Sequence, residues 1–267
     1  MTLGDRPGKY RLVRAALLAL FVCGGTTVWA QEIMVAAASD LQSVFPAVAA
    51  QFQKETGRTV RLAFGSSGNF FAQLQNGAPF DVFFAADIDY PRQLEAAGLT
   101  EPGTLYEYAT GRIVLWARRS SGIDVQRGLQ ALLDPAVKRI AIANPEHAPY
   151  GRAAIAALRH ESLYDKVRGK LVLGENISQA AQFVESGNAE AGIVALSLAL
   201  APALKGSGTY YEIPASFHPA ILQGAVVVKS SRNKDVAKQF LAFLKTPAIV
   251  RQLQAFGFAV PQAARTK

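Results

Sequence analysis

Four segments of this chain end a short apolar run and open a helical pattern with small or polar residues. Ser39 closes AAAS and begins the first. Ser66-Ser67-Gly68 begin the second, Pro149-Tyr150-Gly151 the third and Asn176-Ile177-Ser178 the fourth. The first amides of a helix have no intrahelical acceptor and carry the positive end of the helix dipole, so such starts hold anions without a cationic side chain. In an open α/β sheet, strand carboxyl ends and helix amino ends face one crevice. Four starts meeting there would offer hydroxyl and amide donors only. Hydrogen bonds to a charged group contribute about 1.5–3 kcal/mol each, so six or seven give roughly 10–20 kcal/mol gross. Stripping water from a dianion consumes much of that, and a net of about 8–12 kcal/mol corresponds to micromolar to nanomolar binding. A pocket of donors suits a fully ionised dianion, whereas a protonated phosphate needs an acceptor. Asp40 and Glu175 stand beside the donors, and their carboxylates are expected to turn away. The ordinary role of a serine at a helix start is N-capping. Gln42, three residues after Ser39, would complete a capping box, so the sequence alone leaves convergence open.

Other chemistry finds less support. His147, His160 and His218 show neither metal-ligand spacing nor a partnered acid, which argues against an enzyme; His147 is expected at the rim of the crevice. Asp87 and Asp89 could chelate a cation, but capping of the helix that contains Pro91 explains them as well. Tyr210-Tyr211 suggests paired hard oxygen ligands for ferric ion, yet neighbours on a strand point to opposite faces. Lysines and arginines are scattered, with no run beyond Arg118-Arg119, so nucleic acid is not an expected partner.

The elements that must position these residues alternate along the chain. Strands are expected at 33–38, 60–64, 81–86, 112–117, 139–143, 171–173, 192–195 and 225–229. Helical patterns lie between them and two helices close the chain, which gives an α/β fold with mainly parallel sheets. Leu41, Val44, Phe45, Val48 and Phe52 share one helical face, and Pro46 inside that pattern is expected to kink it. Gly77, Gly98 and Gly257 mark helix ends, and Thr246-Pro247 a helix start.

Half of the 267 residues are apolar and 18% charged, a globular composition. Arg6, Lys9, Arg11 and Arg14 precede the apolar run Ala15–Val22 and the small-residue site Val28-Trp29-Ala30. This order is that of an export signal cleaved near Ala30, with an apolar run too short to span a bilayer. Cys23, the single cysteine, lies within the signal; lipidation there is the alternative, disfavoured by Val22 before it, and otherwise the mature chain has no thiol chemistry. Loss of residues 1–30 removes four basic residues and one acid and lowers the net charge from +8 to +5, a surplus that suits steering of small anions.

Five stretches, AAASD (36–40), FGSSG (64–68), NGAPFDVFFAAD (76–87), NPEHAPYGRAA (144–154) and AGIVALS (191–197), together with the GFAVP ending, resemble the periplasmic molybdate-binding proteins of ABC transport over nearly the whole mature chain. The resemblance implies a two-lobed type II periplasmic binding-protein fold, each lobe a mainly parallel sheet flanked by helices. Two strands would cross between the lobes, near 111–117 and 224–229. Lobe one would comprise 31–112 plus 225–267, and lobe two 113–224. It implies a solute-binding protein, not an enzyme, that takes molybdate or tungstate as ligand with no cofactor and no cation ligated directly. Its partners would be the permease and ATPase subunits of an importer, its place the periplasm and its state a monomer. Carried over by position, Ser39 and Ser67 give hydroxyl and backbone donors, and Tyr150 and Ile177 backbone N–H groups. Many relatives have a tyrosine where this chain has Ala195; the Tyr150 phenol is expected to take over that donor's role. Sulfate or chromate binding, or ferric-ion binding on the same fold, remains the alternative. An effector lobe of a transcription factor would need a helix-turn-helix where the signal-like segment stands.

Overall fold

The computed structural model describes residues 32–261; the expected signal segment and Cys23 lie outside the described residues. Along the chain run β1 (Glu32–Ala38), α1 (Phe45–Thr56), β2 (Thr59–Gly65), α2 (Ser67–Gln75), β3 (Val82–Ala85), α3 (Asp89–Ala96) and β4 (Tyr106–Gly111). Next come β5 (Ile113–Arg118), β6 (Ile140–Ala143), α4 (Pro149–His160), α5 (Tyr164–Val167), β7 (Leu171–Gly174), α6 (Ile177–Glu185) and β8 (Ala191–Ala195). Then follow α7 (Leu196–Ala199), α8 (Pro202–Lys205), β9 (Gly208–Glu212), β10 (Ile221–Val227), α9 (Lys234–Leu244) and α10 (Pro247–Ala255).

The strands form two five-stranded sheets, ordered β2-β1-β3-β10-β4 and β7-β6-β8-β5-β9. In the first, β1 pairs in parallel with β2 and β3, while β10 is antiparallel to β3 and β4. In the second, β6 pairs in parallel with β7 and β8, while β5 is antiparallel to β8 and β9. Four strands of each sheet therefore share one direction and a single strand is reversed. The reversed strand is in each case the one that enters from the other sheet. β4 leaves the first sheet at its carboxyl edge and the chain passes through Arg112 straight into β5; β9 leaves the second sheet in the same way and leads to β10. Both crossings thus lie at the carboxyl edges of the strands, where the two sheets face one another. Ile221, Leu222 and Gln223 already pair with β4 in the first sheet, ahead of the boundary expected at 224/225.

The cores explain why these elements hold. Ile33, Val35, Val82 and Phe84 from strands, and Phe45, Phe52 and Phe240 from helices, are buried on one face of the first sheet. Phe45 meets Phe84 edge-on at 4.9 Å and Phe52 meets Phe240 at 5.2 Å, the favourable arrangement of ring quadrupoles. The second sheet buries Trp116, Ile140, Ile142, Ile193 and Val194 against the alanine-rich face of α4 and against α6. A Cβ on Gly208 would come within 2.3 Å of the Trp116 ring, so the strand beside that indole needs glycine.

Pro46 does not kink a helix but begins one. It falls in the first turn of α1, where its missing amide has no partner to lose, and Ser39–Leu41 form a separate 3-10 turn. The capping box expected from Ser39 and Gln42 does not form: the Ser39 side chain makes no capping bond, and Gln42 Oε1 instead accepts from Ser178 Oγ at 2.7 Å.

Candidate functional site

The four helix starts meet. Ser39, Ser67, Tyr150 and Ile177 line a single small hollow between the sheets, together with Asp40, Ser66, Ala86 and Asn176. Ser39 and Ser67 come from the carboxyl ends of β1 and β2, and Tyr150 and Ile177 follow β6 and β7. Each of the four is at most 3% exposed, so bonds made in the hollow are made away from water. No lysine or arginine lines it.

The serine hydroxyls are not used as caps, since neither Ser39 nor the Ser66-Ser67 start of α2 makes a side-chain capping bond. Ser67 Oγ accepts from the Ala86 amide at 2.9 Å, and Ser39 Oγ from the Ser178 amide at 3.4 Å. A hydroxyl held as an acceptor keeps its own hydrogen to donate. The amides of Ser67, Tyr150 and Ile177 lie at the first or second position of their helices, where no intrahelical acceptor exists. Helices α2, α4 and α6 span 9, 12 and 9 residues and direct their positive ends to the hollow. The arrangement is a cup of neutral donors beside one carboxyl, that of Asp40, which Tyr150 and Gln223 engage; the donors favour an anion without a proton of its own. Gly151 lets α4 start this close to β6, because a Cβ there would sit 2.1 Å from the Ala143 carbonyl oxygen.

The rim is stitched from both sides. The Gly68 amide donates to the His147 carbonyl at 2.9 Å, and His147 Nδ1 lies 3.0 Å from Ser66 Oγ. Asn69 donates to the Glu175 carboxylate, and Arg152 pairs with Asp87 and reaches the Tyr90 hydroxyl. His147 is therefore at the rim as expected, and the Glu175 carboxylate is engaged by Asn69. Asp87 is committed to Arg152 and to the Asp89 amide. His160 stacks on Phe217 and His218 bonds the Pro219 carbonyl, both away from the hollow. Tyr210 and Tyr211 pair with Trp116 and Leu115 along β9 and do not line the hollow. Among the described residues no group of three or more histidine, cysteine or acidic side chains could hold a metal ion.

The Tyr150 phenol, expected to take over the donor role missing at Ala195, is engaged elsewhere in this structure. It donates to Asp40 Oδ2 at 2.9 Å, while accepting from Gln223 Nε2 at 3.0 Å. Its only proton is spent there, and Gly111 makes room for it, since a Cβ would fall 2.2 Å from the phenol oxygen. Gln223 Nε2 also donates to Asp40 Oδ2 at 2.6 Å. The Asp40 carboxyl is thus tied to Tyr150 and Gln223, a network that the sequence alone does not show. Its burial pushes it up to about 6, opposed by the bonds from Gln223 and Tyr150. Burial and the neighbouring Asp40 charge hold the Tyr150 hydroxyl well above the usual phenol range. The only hint in the sequence is Gln223, a polar residue inside the apolar run ILQGAVV.

Two mixed sheets joined by two crossings, closing on a cup of neutral donors, define a two-lobed solute-binding protein. The chain belongs to the bacterial extracellular solute-binding protein family, whose pattern it matches over residues 33–259. It is 38% identical over 250 residues to the molybdate-binding protein ModA of Azotobacter vinelandii, covering 94% of this chain and 97% of that protein. To the ModA of Rhodobacter capsulatus it is 36% identical, covering 91% and 94%. The solved structure of the Azotobacter vinelandii periplasmic molybdate-binding protein superposes with a TM-score of 0.81 at 37% identity, over 86% of this chain and all of that one.

Proposed function

We propose that this protein captures molybdate or tungstate in the hollow between its lobes and delivers it to the permease and ATPase subunits of an ABC importer, without chemical turnover. One observation carries the reading: helix starts from both sheets meet around one buried hollow whose lining, among the described residues, has hydroxyls, amides and the engaged Asp40 carboxyl but no cation. The names of the ModA relatives agree with it. A fully ionised tetrahedral dianion fits such a lining because it has acceptors in every direction and no proton to place. Ser39 and Ser67 would donate through hydroxyl and backbone, and Tyr150 and Ile177 through backbone alone. Closure would bring the two lobes, 31–112 with the strand β10 and the two last helices, and 113 to the start of β10, onto opposite sides of the ion. A monomer acting in the periplasm after loss of residues 1–30 is part of the same proposal. Among the described residues no helix is long and apolar enough to cross a membrane.

Calorimetry on the ligand-stripped protein tests this with molybdate, tungstate, sulfate and phosphate in turn. Strong heats are expected for the first two. Equal binding of sulfate would move the assignment to another oxyanion, and binding of phosphate alone would contradict the cup of donors.

A further inference from the structure

We propose that Asp40 takes up one proton from solvent when the lobes close on the anion, and so makes the affinity for the ion fall as pH rises. The inference rests on the reading of the hollow as an oxyanion site. Asp40 is the neighbour of Ser39 in the chain, is completely buried, and lines the hollow. Its Oδ2 takes both available side-chain donors, the Tyr150 hydroxyl and Gln223 Nε2. Among the described residues no donor meets its Oδ1 in hydrogen-bond geometry, the Asp40 and Leu41 amides acting on the carboxyl only from nearby, and Gln223 Oε1 is likewise unpartnered. Three residues, drawn from three elements, thus share too few donors: two buried acceptors are left over, each of which costs stability while unpaired. A proton on the carboxyl removes the charge and turns one of its oxygens into a donor.

Among the described residues the groups packed around Asp40 offer it no counter-charge. Tyr150 faces it from α4, Tyr108 from β4 and Gln223 from β10, and both phenols are held neutral by burial. From α7, the Ser197 hydroxyl donates to the Asp40 main-chain oxygen at 2.8 Å. The Asp40 and Leu41 amides favour the ionised form but are outweighed by burial, which already lifts the carboxyl to about 6. A dianion one residue away would raise it further by like-charge repulsion. With the lobes apart, Tyr150 withdraws, water enters, and the carboxyl returns towards the ordinary value of about 3.9. Closure on the anion therefore binds a proton wherever the pH lies between the open and closed values. In that window the dissociation constant should rise by up to about tenfold per pH unit.

The test is calorimetry of the wild-type protein with molybdate from pH 5 to 8, in pairs of buffers that differ in ionisation heat. Proton uptake approaching one per anion, with affinity falling as pH rises, is expected. Asp40→Asn, neutral at every pH, should bind without uptake, lose the slope, and exceed the wild type at pH 8 by about tenfold or more. Difference infrared spectra of the wild type should gain a protonated-carboxyl band on adding molybdate, a readout that needs no variant. Binding with no uptake, a flat profile and no such band would overturn the proposal and leave the oxyanion reading standing. Uptake that survives in Asp40→Asn but vanishes in His147→Gln would assign the proton to the rim histidine and also overturn it. Failure of the wild type to bind molybdate at any pH would remove the oxyanion reading, and this inference with it.

Discussion

The hydroxyls of Ser39 and Ser67 and the phenol of Tyr150 are all buried and all hydrogen-bonded, yet only the serines keep a proton for a ligand. That difference separates their variants. Ser39→Ala removes one donor to a charged group, worth about 1.5–3 kcal/mol, and should raise the molybdate dissociation constant roughly tenfold to a hundredfold. Ser67→Ala should do the same and also lower the stability of the unliganded protein, because the Ala86 amide loses its acceptor. Tyr150→Phe should differ from both. It removes a donor that reaches Asp40 only when the lobes meet, so it should leave the unfolding temperature of the unliganded protein near the wild-type value, while weakening molybdate at pH 5.5 by about the 0.5–1.5 kcal/mol of an ordinary hydrogen bond, less than Ser39→Ala does. Calorimetry and thermal unfolding on the three variants check both statements. A Tyr150→Phe loss of affinity as large as that of Ser39→Ala would return the phenol to the ligand's own shell.

The first turn of α2 is where one lobe meets the other, through the bond from the Gly68 amide to the His147 carbonyl. Gly68 is helical there and has no positive φ, so alanine would fit the helix itself and favour it slightly. Its built Cβ, however, falls 2.7 Å from the His147 carbonyl oxygen and 2.8 Å from the His147 Cβ. The clash exists only when the loop before α4 is in place across the gap. Gly68→Ala should therefore weaken molybdate binding by about tenfold or more, as expected for more than about 1.4 kcal/mol, while leaving the unfolding temperature of the unliganded protein unchanged or raised. A fall in that temperature would mean that the glycine serves its own lobe. This is also the scale at which the sequence was most legible. Strong apolar strands such as DVFFAA and IAIA, and helices with clean apolar faces, stood where their periodicity put them. The site starts were legible because strand, small residue and helix follow in order. β4 is not legible and β9 only at Tyr210-Tyr211, since YEYATG and GTYYE are partly exposed and mix polar with aromatic residues. Pro46 was misread because a proline marks a helix start and a helix kink alike. The Asp40, Tyr150 and Gln223 network was invisible because its members are separated by 110 and 73 positions. Only the fold brings them together.

At the scale of the whole molecule, closure links ligand, proton and stability. A ligand that binds only the folded chain stabilises it by RT ln(1 + [L]/Kd), about 2.7 kcal/mol at a hundredfold excess over Kd. Asp40 is a carboxyl raised in the closed state, so its contribution to the closed form is complete below its ordinary value of 3.8 and is lost as pH climbs through about 6. The increment in unfolding temperature produced by a fixed molybdate concentration should accordingly shrink from pH 5 towards pH 7, by up to about 1.4 kcal/mol of stabilisation per pH unit. Other carboxylates act with the opposite sign. Glu101 and Glu190 are lowered, Glu101 by bonds from Lys238 and Lys234 and Glu190 by bonds from Arg139 and Lys138, and their contribution is lost as pH falls below the ordinary range. Those contacts lie far from the hollow, with Glu101 beside β10 and Glu190 beside β6. Each set of bonds lies within a single lobe, so it should move the unfolding temperature of free and bound protein together and cancel in the increment. Thermal scans with and without molybdate across that pH range separate the two effects. An increment independent of pH in the wild type would mean that Asp40 has the same protonation in the open and closed forms, and an increment that becomes pH-independent only in Asp40→Asn would tie the proton to lobe closure.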